Sequence, residues 1–267
     1  MPIDSGAELR SLYGPQGGVA EIFTFKAADY LSSRPDYPAP LFEMLQLACN
    51  LRPGAVVADI GAGTGLLTRG LLERGYDVIA VEPNAAMRAA ADRLLGRFPA
   101  YRSVQGTAEA MPAPASSVDL ITAAQAFHWF EVDRAKAECL RVLRPQGKVA
   151  LIWNDRVPTD PLHVALDEVF AHYGGAKRDA RTALEERREV PIFFGASVPS
   201  ESTWPHQHRL DEAGLQSLVF SRSYMPESDS AAGREAGLEV RRIFQRFETE
   251  GRVEVRYTTA AFLGRPQ

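Results

Sequence analysis

The sequence predicts an α/β fold in which helices cover both faces of one mostly parallel, doubly wound sheet. Three observations support this prediction. Short apolar strands alternate with helical segments between residues 53 and 156, and such alternation is typical of parallel sheets. The strands are continuous apolar runs, as expected where both faces are buried. A glycine-rich turn also joins the first strand to the following helix, as in nucleotide-binding sheets.

The predicted elements follow from apolar periodicity and from turn residues. Strands are predicted at 56–60, 77–82, 101–105, 118–124 and 148–153, with helices at 40–51, 66–74, 85–95 and 132–143. Pro145-Gln146-Gly147 predicts a turn before the last of these strands. Beyond residue 154 we expect an amphipathic helix around Leu166–Tyr173, a charged and solvated helix over 176–190, a helix over 235–247 and a strand over 253–263.

Composition limits the classes of function. The net charge of −4 disfavours nucleic-acid binding, which normally needs a basic surface. Cys49 and Cys139 are far apart and form neither a disulfide framework nor a CxxC metal motif, which favours a reduced compartment. The first ten residues have no apolar segment typical of a signal peptide, and no run approaches a membrane span. We expect a cytoplasmic protein with neither nucleic-acid nor membrane partner; its oligomeric state is not predicted.

The glycine-rich turn, Asp59 to Gly65, carries the strongest functional signal. Its glycines let the backbone approach a ligand closely, and Glu82, about twenty residues later, can accept hydrogen bonds from two ribose hydroxyls. A dinucleotide-binding turn has a glycine where this chain has Leu66. Asp59 would also repel a pyrophosphate but favours the ammonium and sulfonium groups of S-adenosylmethionine. The pattern therefore favours S-adenosylmethionine, with a nicotinamide-dependent oxidoreductase and a non-catalytic S-adenosylmethionine-binding protein as alternatives.

Several motifs resemble those of class I S-adenosylmethionine-dependent methyltransferases. They are Asp59–Gly65, Val81-Glu82-Pro83-Asn84 and Ala108-Glu109-Ala110-Met111-Pro112. Other segments are similar to the trans-aconitate methyltransferase-like branch: 28–35, 124–130, 140–147, 152–156 and 257–259. The resemblance covers about residues 22–264. It implies a seven-stranded sheet of order 3-2-1-4-5-7-6, helical cap elements, and methyl transfer to a small-molecule acceptor, with S-adenosylhomocysteine as product.

The resemblance also implies a set of cofactor contacts. Gly61, Ala62 and Gly63 are expected at the methionine and ribose portions, with Glu82 on the ribose hydroxyls. Pro83 and Met87 should border the adenine, and Thr107, Ala108 and Glu109 should lie at its edge. Gln125 is expected near the methionine end, Tyr30 and Arg34 over the pocket, and Asp59 beside the cofactor's positive groups.

The acceptor side is less defined by sequence. His128 is a candidate general base, although packing among Phe127, Trp129 and Phe130 is the more common role for such a residue. A carboxylate acceptor would need no base, and Arg34 or Arg156 could pair with it. His206 and His208 share a strand face but have no third ligand, so no metal site is expected.

We expect a single methyltransferase domain over residues 1–267. Within it we assign 22–52 to an N-terminal cap segment, 53–156 to the cofactor-binding core, 157–250 to a helical or cap region and 251–267 to a C-terminal strand. By analogy with the family, residues 210–226 should help cover the acceptor pocket.

Overall fold

The computed structural model describes residues 6–14, 24, 26, 33–184 and 187–267. Its strands are β1 (Val56–Ile60), β2 (Asp77–Val81), β3 (Tyr101–Val104), β4 (Val118–Ala124), β5 (Leu143–Arg156), β6 (Ser200–Leu210) and β7 (Val253–Gly264). They form one seven-stranded sheet of order β3-β2-β1-β4-β5-β7-β6. Strands β1 to β5 are parallel, and β7 is antiparallel to both of its neighbours. The predicted fold class and the strand order implied by the resemblance are confirmed.

Helices lie before, between and after these strands. They are α1 (Gly6–Tyr13), α2 (Ala39–Ala48), α3 (Leu66–Leu72), α4 (Ala85–Leu95), α5 (Val132–Val142), α6 (Pro161–Ala183), α7 (Glu189–Phe194), α8 (Glu212–Phe220) and α9 (Ala231–Phe247). A short 3-10 turn, Phe127–Trp129, follows β4. None of the helices in the described part of the chain is both long and apolar enough to cross a membrane.

Successive residues of β1 face opposite sides of the sheet and join different apolar clusters, as strand geometry requires. Val57 packs in the cluster that contains Leu41 and Leu71 of α2 and α3, whereas Ala58 packs in the one that contains Cys139 of α5. Burying each of these leucine side chains stabilises the fold by about 1.5–3 kcal/mol. The sheet is thus covered on both faces, which explains its continuous apolar strands.

A third apolar cluster joins the helices after β5 to the antiparallel end of the sheet. Phe170 of α6, Leu215 of α8 and Val240 of α9 pack there with Val255 of β7. These side chains are fully buried. The cluster fixes α6, α8 and the loop after α8 beside the carboxyl end of β5, where they can contribute to a site.

Strand β5 is longer than predicted. The expected turn at Pro145–Gly147 lies inside it, where the pairing with β4 shifts register between Val118 and Leu120. Proline donates no backbone hydrogen bond, and such an irregularity tolerates it. Strand β2, by contrast, is shorter than predicted. It ends at Val81, and Glu82 lies just beyond it.

The prediction of one solvated helix over 176–190 is wrong. Helix α6 already runs through this region, kinks at Gly175 (φ 51°, ψ −151°) and ends at Ala183, and α7 begins at Glu189. Ala180 is buried rather than solvated. Alternating charges indicate exposed positions but contain no information on where a helix breaks.

Helix α1 was not predicted from the sequence. It spans only eight residues and borders a segment rich in glycine and proline, so its periodicity is too short to recognise. Its Leu9 and Tyr13 are fully buried against Ala180 and Leu184. Tertiary packing therefore accounts for this helix, as is usual for short helices.

Candidate functional site

Two adjoining cavities open beyond the carboxyl ends of the parallel strands, where doubly wound sheets bind ligands. The first has a volume of about 250 Å³ and lies beyond β1, β2 and β4. The second, of about 400 Å³, lies beyond β4 and β5 and under the loop after α8. Gln125 and Trp129 line both cavities, so the two spaces meet at this pair.

The first cavity brings together most of the residues that the resemblance implies for the cofactor. These are Gly61, Gly63, Glu82, Pro83, Met87, Thr107, Ala108, Glu109 and Gln125. Ala62 and Asp59 are not among its lining residues, and Arg34 lines the second cavity instead. Tyr30 lies outside the described residues.

The glycine-rich turn is shaped by positive backbone φ angles at Gly61 (65°) and Gly63 (57°). A Cβ atom on Gly61 would stand 2.6 Å from the Cβ of Ala126, whereas a Cβ on Gly63 would meet no atom within 4 Å. Gly61 therefore permits close packing of two loops. Gly63 instead leaves space beside the cavity that a ligand can fill.

Glu82 ties the glycine-rich turn to the end of β2. Its Oε2 accepts a hydrogen bond from the Gly63 N–H (2.9 Å), and its Oε1 accepts one from the Asn84 N–H (2.9 Å). Burial raises the pKa of the Glu82 carboxyl, and these two hydrogen bonds act in the opposite direction. Each carboxylate oxygen has a second lone pair available to a ligand in the cavity.

Asp59 lies at the end of β1 and is 1% exposed. Its carboxylate accepts hydrogen bonds from the hydroxyls of Thr68 (2.6 Å) and Thr122 (2.8 Å). Burial raises its pKa to about 6, against the effect of these two hydrogen bonds, so it is mainly ionised at neutral pH. Asp59 thus connects β1, α3 and β4 beneath the glycine-rich turn, and a direct cofactor contact stays a prediction.

The opposite side of the first cavity includes residues that sequence reasoning missed. Arg10 of α1 lines it and donates from Nη1 to the Phe130 carbonyl oxygen (2.9 Å). Tyr13, one turn further, packs edge-on against Trp129 with ring centroids 5.5 Å apart. No sequence motif marked α1, because its role depends on contacts with distant residues.

The second cavity is lined mainly by polar and charged side chains. Among the described residues, five arginines and two carboxylates line it: Arg34, Arg156, Arg181, Arg187, Arg222, Asp155 and Asp167. Trp153 and Asn154, which lie near the carboxyl end of β5, line it as well. So do Ser223 and Tyr224 from the segment expected to act as a cap.

The arginines of this cavity differ in their partners. Arg187 forms an ion pair with Asp155, and Arg156 forms one with Asp167. In the part of the chain that the structure describes, Arg222 has no ion-pair partner, and its buried Nε atom has no hydrogen-bond partner. Its guanidinium lies 4.6 Å from the centroid of the Phe170 ring. Arg222 belongs to the segment 210–226 that we expect to cover the pocket, but no sequence pattern predicts its environment in this cavity.

His128 lines the second cavity and contacts Trp129, with ring centroids 4.9 Å apart. Burial, followed by the charges of Arg181 and Arg34, lowers the pKa of His128 well below its usual value. The ring is therefore neutral at pH 7. Its buried Nδ1 has no hydrogen-bond partner among the described residues.

Gln125 occupies a left-handed backbone conformation (φ 57°), which is uncommon for residues other than glycine. Its backbone N–H donates to the Ile152 carbonyl oxygen, and its Nε2 donates to the Asn154 carbonyl oxygen (3.1 Å). These two bonds fix Gln125 against β5 at the junction of the cavities. The side chain is thus held at the boundary between the two cavities.

Comparison with known proteins assigns this site to a family. The family model described as "Methyltransferase domain" matches residues 58–151. An uncharacterized methyltransferase of Mycobacterium tuberculosis is 37% identical over 195 residues, which are 73% of this chain and 74% of the relative. An uncharacterized methyltransferase-like protein of Schizosaccharomyces pombe is 29% identical over 249 residues, 91% of this chain and 95% of that protein.

A solved structure from Anaeromyxobacter dehalogenans, whose name gives it as a type II methyltransferase, has a TM-score of 0.63 and 25% identity. The match covers 88% of this chain and 99% of that one. These similarities favour a methyltransferase over the two alternatives that the sequence left open, a nicotinamide-dependent oxidoreductase and a non-catalytic S-adenosylmethionine-binding protein. The chain belongs to the class I methyltransferases, enzymes that take their methyl group from S-adenosylmethionine.

Proposed function

We propose that this enzyme transfers the methyl group to a carboxylate oxygen of a small acceptor bound in the second cavity. The observation that carries the proposal is Arg222, a half-buried cation whose buried Nε atom has no hydrogen-bond partner among the described residues. Burial lowers its pKa to about 10, so it stays protonated at neutral pH. A buried charge without a counter-ion is unfavourable, and an anionic acceptor would supply the missing counter-ion.

The other charges of the cavity support the same acceptor class. The two carboxylates that line it already pair with Arg187 and Arg156. Among the described lining residues, arginines therefore outnumber carboxylates, and Arg222 remains as a cation with which an anion can pair. Arginine also binds carboxylates through two parallel hydrogen bonds, which would orient the acceptor as well as hold it.

We further propose that the first cavity holds S-adenosylmethionine. The available lone pairs of Glu82 suit two ribose hydroxyls, and the space beside Gly63 suits close approach of the ligand. Pro83, Met87, Thr107, Ala108 and Glu109 would surround the adenine, with Gln125 at the methionine end. Asp59 would act through its charge rather than by contact, because it is buried and does not line the first cavity.

S-adenosylmethionine, held by Glu82 and the glycine-rich turn, would supply an activated methyl group. A lone pair of the acceptor oxygen would form the new oxygen–carbon bond, while the electron pair of the carbon–sulfur bond would pass to sulfur. The protein's task is alignment of the two ligands. A carboxylate has no proton to lose, so no general base is needed. His128 is neutral and surrounded by cationic groups. We therefore propose that it contacts the acceptor and does not remove a proton.

The predicted division of the chain fits this arrangement. We propose that residues 53–156 hold the cofactor, and that 22–52 and 157–250 cover the acceptor. Arg34 from the first of these segments and Arg222 from the second line the same cavity. Membership of the trans-aconitate methyltransferase-like branch is part of the proposal, supported by an arginine-rich cavity that suits small acids.

The proposal is tested by incubating the enzyme with methyl-labelled S-adenosylmethionine and a panel of small mono-, di- and tricarboxylic acids, amines and phenols. We expect label to enter acids as methyl esters, which alkali hydrolyses to volatile labelled methanol. Labelled products from amines or phenols would survive alkali. Transfer only to amines or phenols would contradict the proposal.

The Arg222→Met variant keeps a long apolar side chain against Phe170 but removes the charge. We expect it to raise the KM of the accepting acid at least tenfold while S-adenosylhomocysteine affinity changes less than twofold. Arg97→Met is the matched control, because Arg97 also lies over an aromatic ring, that of Phe98 (5.3 Å), outside both cavities. Equal kinetics in the two variants would exclude Arg222 from acceptor binding.

A further inference from the structure

The phenol of Tyr257 is a second polar group at the acceptor cavity whose hydrogen-bonding capacity is unused. Tyr257 lies on β7, lines the second cavity and is 4% exposed. Across the described ranges of the chain, its Oη has no hydrogen-bond partner. A buried hydroxyl without a partner is unfavourable, because it has lost its hydrogen bonds to water without replacement. Such a group is expected to be satisfied by a ligand that enters the cavity.

Two histidines hold the Tyr257 ring in place. His208 stacks on it (centroids 5.6 Å apart, planes at 18°), and His163 meets it edge-on (5.6 Å, 68°). The Nε2 atoms of both histidines lie within hydrogen-bond distance of backbone carbonyl oxygens, that of Arg256 for His163 (2.6 Å) and that of Ser33 for His208 (3.0 Å). Because carbonyls only accept, each histidine donates from Nε2. The phenol is therefore fixed before any acceptor binds.

The surroundings of the phenol determine which ligand group it can bind. Burial raises the pKa of Tyr257 to about 12, although Arg222, Arg34 and Arg156 act to lower it. The hydroxyl is therefore protonated at neutral pH and can donate a hydrogen bond. Beside these cations, an ammonium group would be repelled and could accept no hydrogen bond. An oxyanion satisfies both the phenol and the guanidinium of Arg222.

We infer that Tyr257 is a specificity-determining residue that donates a hydrogen bond to an oxyanion of the acceptor, next to Arg222. The inference rests on the proposed function, because it takes the second cavity as the acceptor site. It adds that recognition of the anion combines a neutral donor, the Tyr257 phenol, with the half-buried cation of Arg222. Acceptors that lack an oxyanion at this position would leave both groups unsatisfied, which is a strong source of discrimination.

The test uses Tyr257→Phe, which keeps the ring and both histidine contacts and removes only the hydroxyl. We expect the KM of the accepting acid to rise about tenfold or more, with little change in kcat or in S-adenosylhomocysteine affinity. The ligand-free variant should be at least as stable as the unmodified enzyme, because an unsatisfied buried hydroxyl has been removed. A purely structural role would instead lower stability and leave KM unchanged, and that result would overturn the inference.

Tyr101→Phe is the matched control. Its hydroxyl donates to Asp92 (2.9 Å) at the surface, outside both cavities. We expect no change in acceptor KM for this variant. A KM increase in Tyr101→Phe equal to that in Tyr257→Phe would show a nonspecific effect and would also overturn the inference.

A separate measurement distinguishes this inference from the proposed function. Inorganic sulfate is titrated into the S-adenosylhomocysteine complex, and thermal unfolding is compared with that in chloride of the same ionic strength. We expect saturable stabilisation that is at least fivefold weaker in Tyr257→Phe. Tyr257-dependent sulfate binding without methylation of any carboxylic acid would contradict the proposed function alone. Methylation of an acid with an unchanged KM and unchanged sulfate binding in Tyr257→Phe would contradict this inference alone.

Discussion

Replacing Glu82 by glutamine removes one of its two carboxylate oxygens without changing the size of the side chain. Both oxygens already accept a backbone N–H, from Gly63 and from Asn84. The glutamine amide keeps one acceptor and places an NH₂ group against the other N–H. We therefore expect one of the two ribose hydroxyls to lose its hydrogen bond and the glycine-rich turn to loosen.

The magnitude follows from the charge of the lost acceptor. A hydrogen bond to a charged group contributes about 1.5–3 kcal/mol, so one such bond corresponds to about 10- to 150-fold in Kd. Isothermal calorimetry with S-adenosylhomocysteine measures this directly. A folded Glu82→Gln variant that binds less than threefold more weakly would refute the assignment of Glu82 to the ribose.

A matched control separates ligand contact from loop support. Glu138 also accepts a backbone N–H, that of Met111 (2.8 Å), but it does not line the first cavity. Glu138→Gln should lower the free energy of unfolding modestly and leave S-adenosylhomocysteine affinity unchanged. If both variants lose affinity equally, loop distortion rather than ribose binding explains the effect.

Two further predictions concern titratable groups. The pKa of Asp59 is about 6 in the folded protein, whereas that of an unperturbed aspartate, as in the unfolded chain, is 3.8. The carboxyl of the folded protein therefore keeps its proton to higher pH. Its contribution to stability is therefore present below pH 4 and lost as pH rises through about 6, by up to about 3 kcal/mol. Urea unfolding from pH 4 to 7 should show this loss in the unmodified enzyme relative to Asp59→Asn, and parallel profiles would contradict it. His128→Asn should lower kcat for a carboxylic acid less than tenfold, whereas loss of a general base would lower it about 10²- to 10⁴-fold in steady-state assays.

The sequence was sufficient for those parts of the fold that depend on local pattern. Apolar runs located the parallel strands, and the glycine-rich turn located the first cavity, because backbone conformation at Gly61 and Gly63 depends on residue type. The strand order came from the resemblance to a family, since local periodicity does not specify which strands are neighbours. The register of strand pairing was less predictable. Pro145 lies within β5 because the pairing of β4 with β5 shifts register at this point, which no local pattern indicates.

The acceptor side was predicted less completely, for a physical reason. Arg34, Arg156, His128 and Tyr257 lie in motifs that resemble the family, but no motif singles out Arg222, which reaches the cavity from the loop after α8. A charged residue in a polar loop is usually exposed, and no local pattern shows that its guanidinium will line a cavity. Likewise, the burial of α1 depends on residues about 170 positions away.

The common boundary of the two cavities at Gln125 and Trp129 has a consequence for inhibition. Because the spaces meet, one molecule could place an adenosine in the first and a carboxylate in the second. Once one end is bound, the other end is held at a high local concentration, and a linker that matches the span can raise affinity about 10²- to 10⁴-fold. The length of the best linker would then measure, in solution, the separation between the adenosine and carboxylate positions.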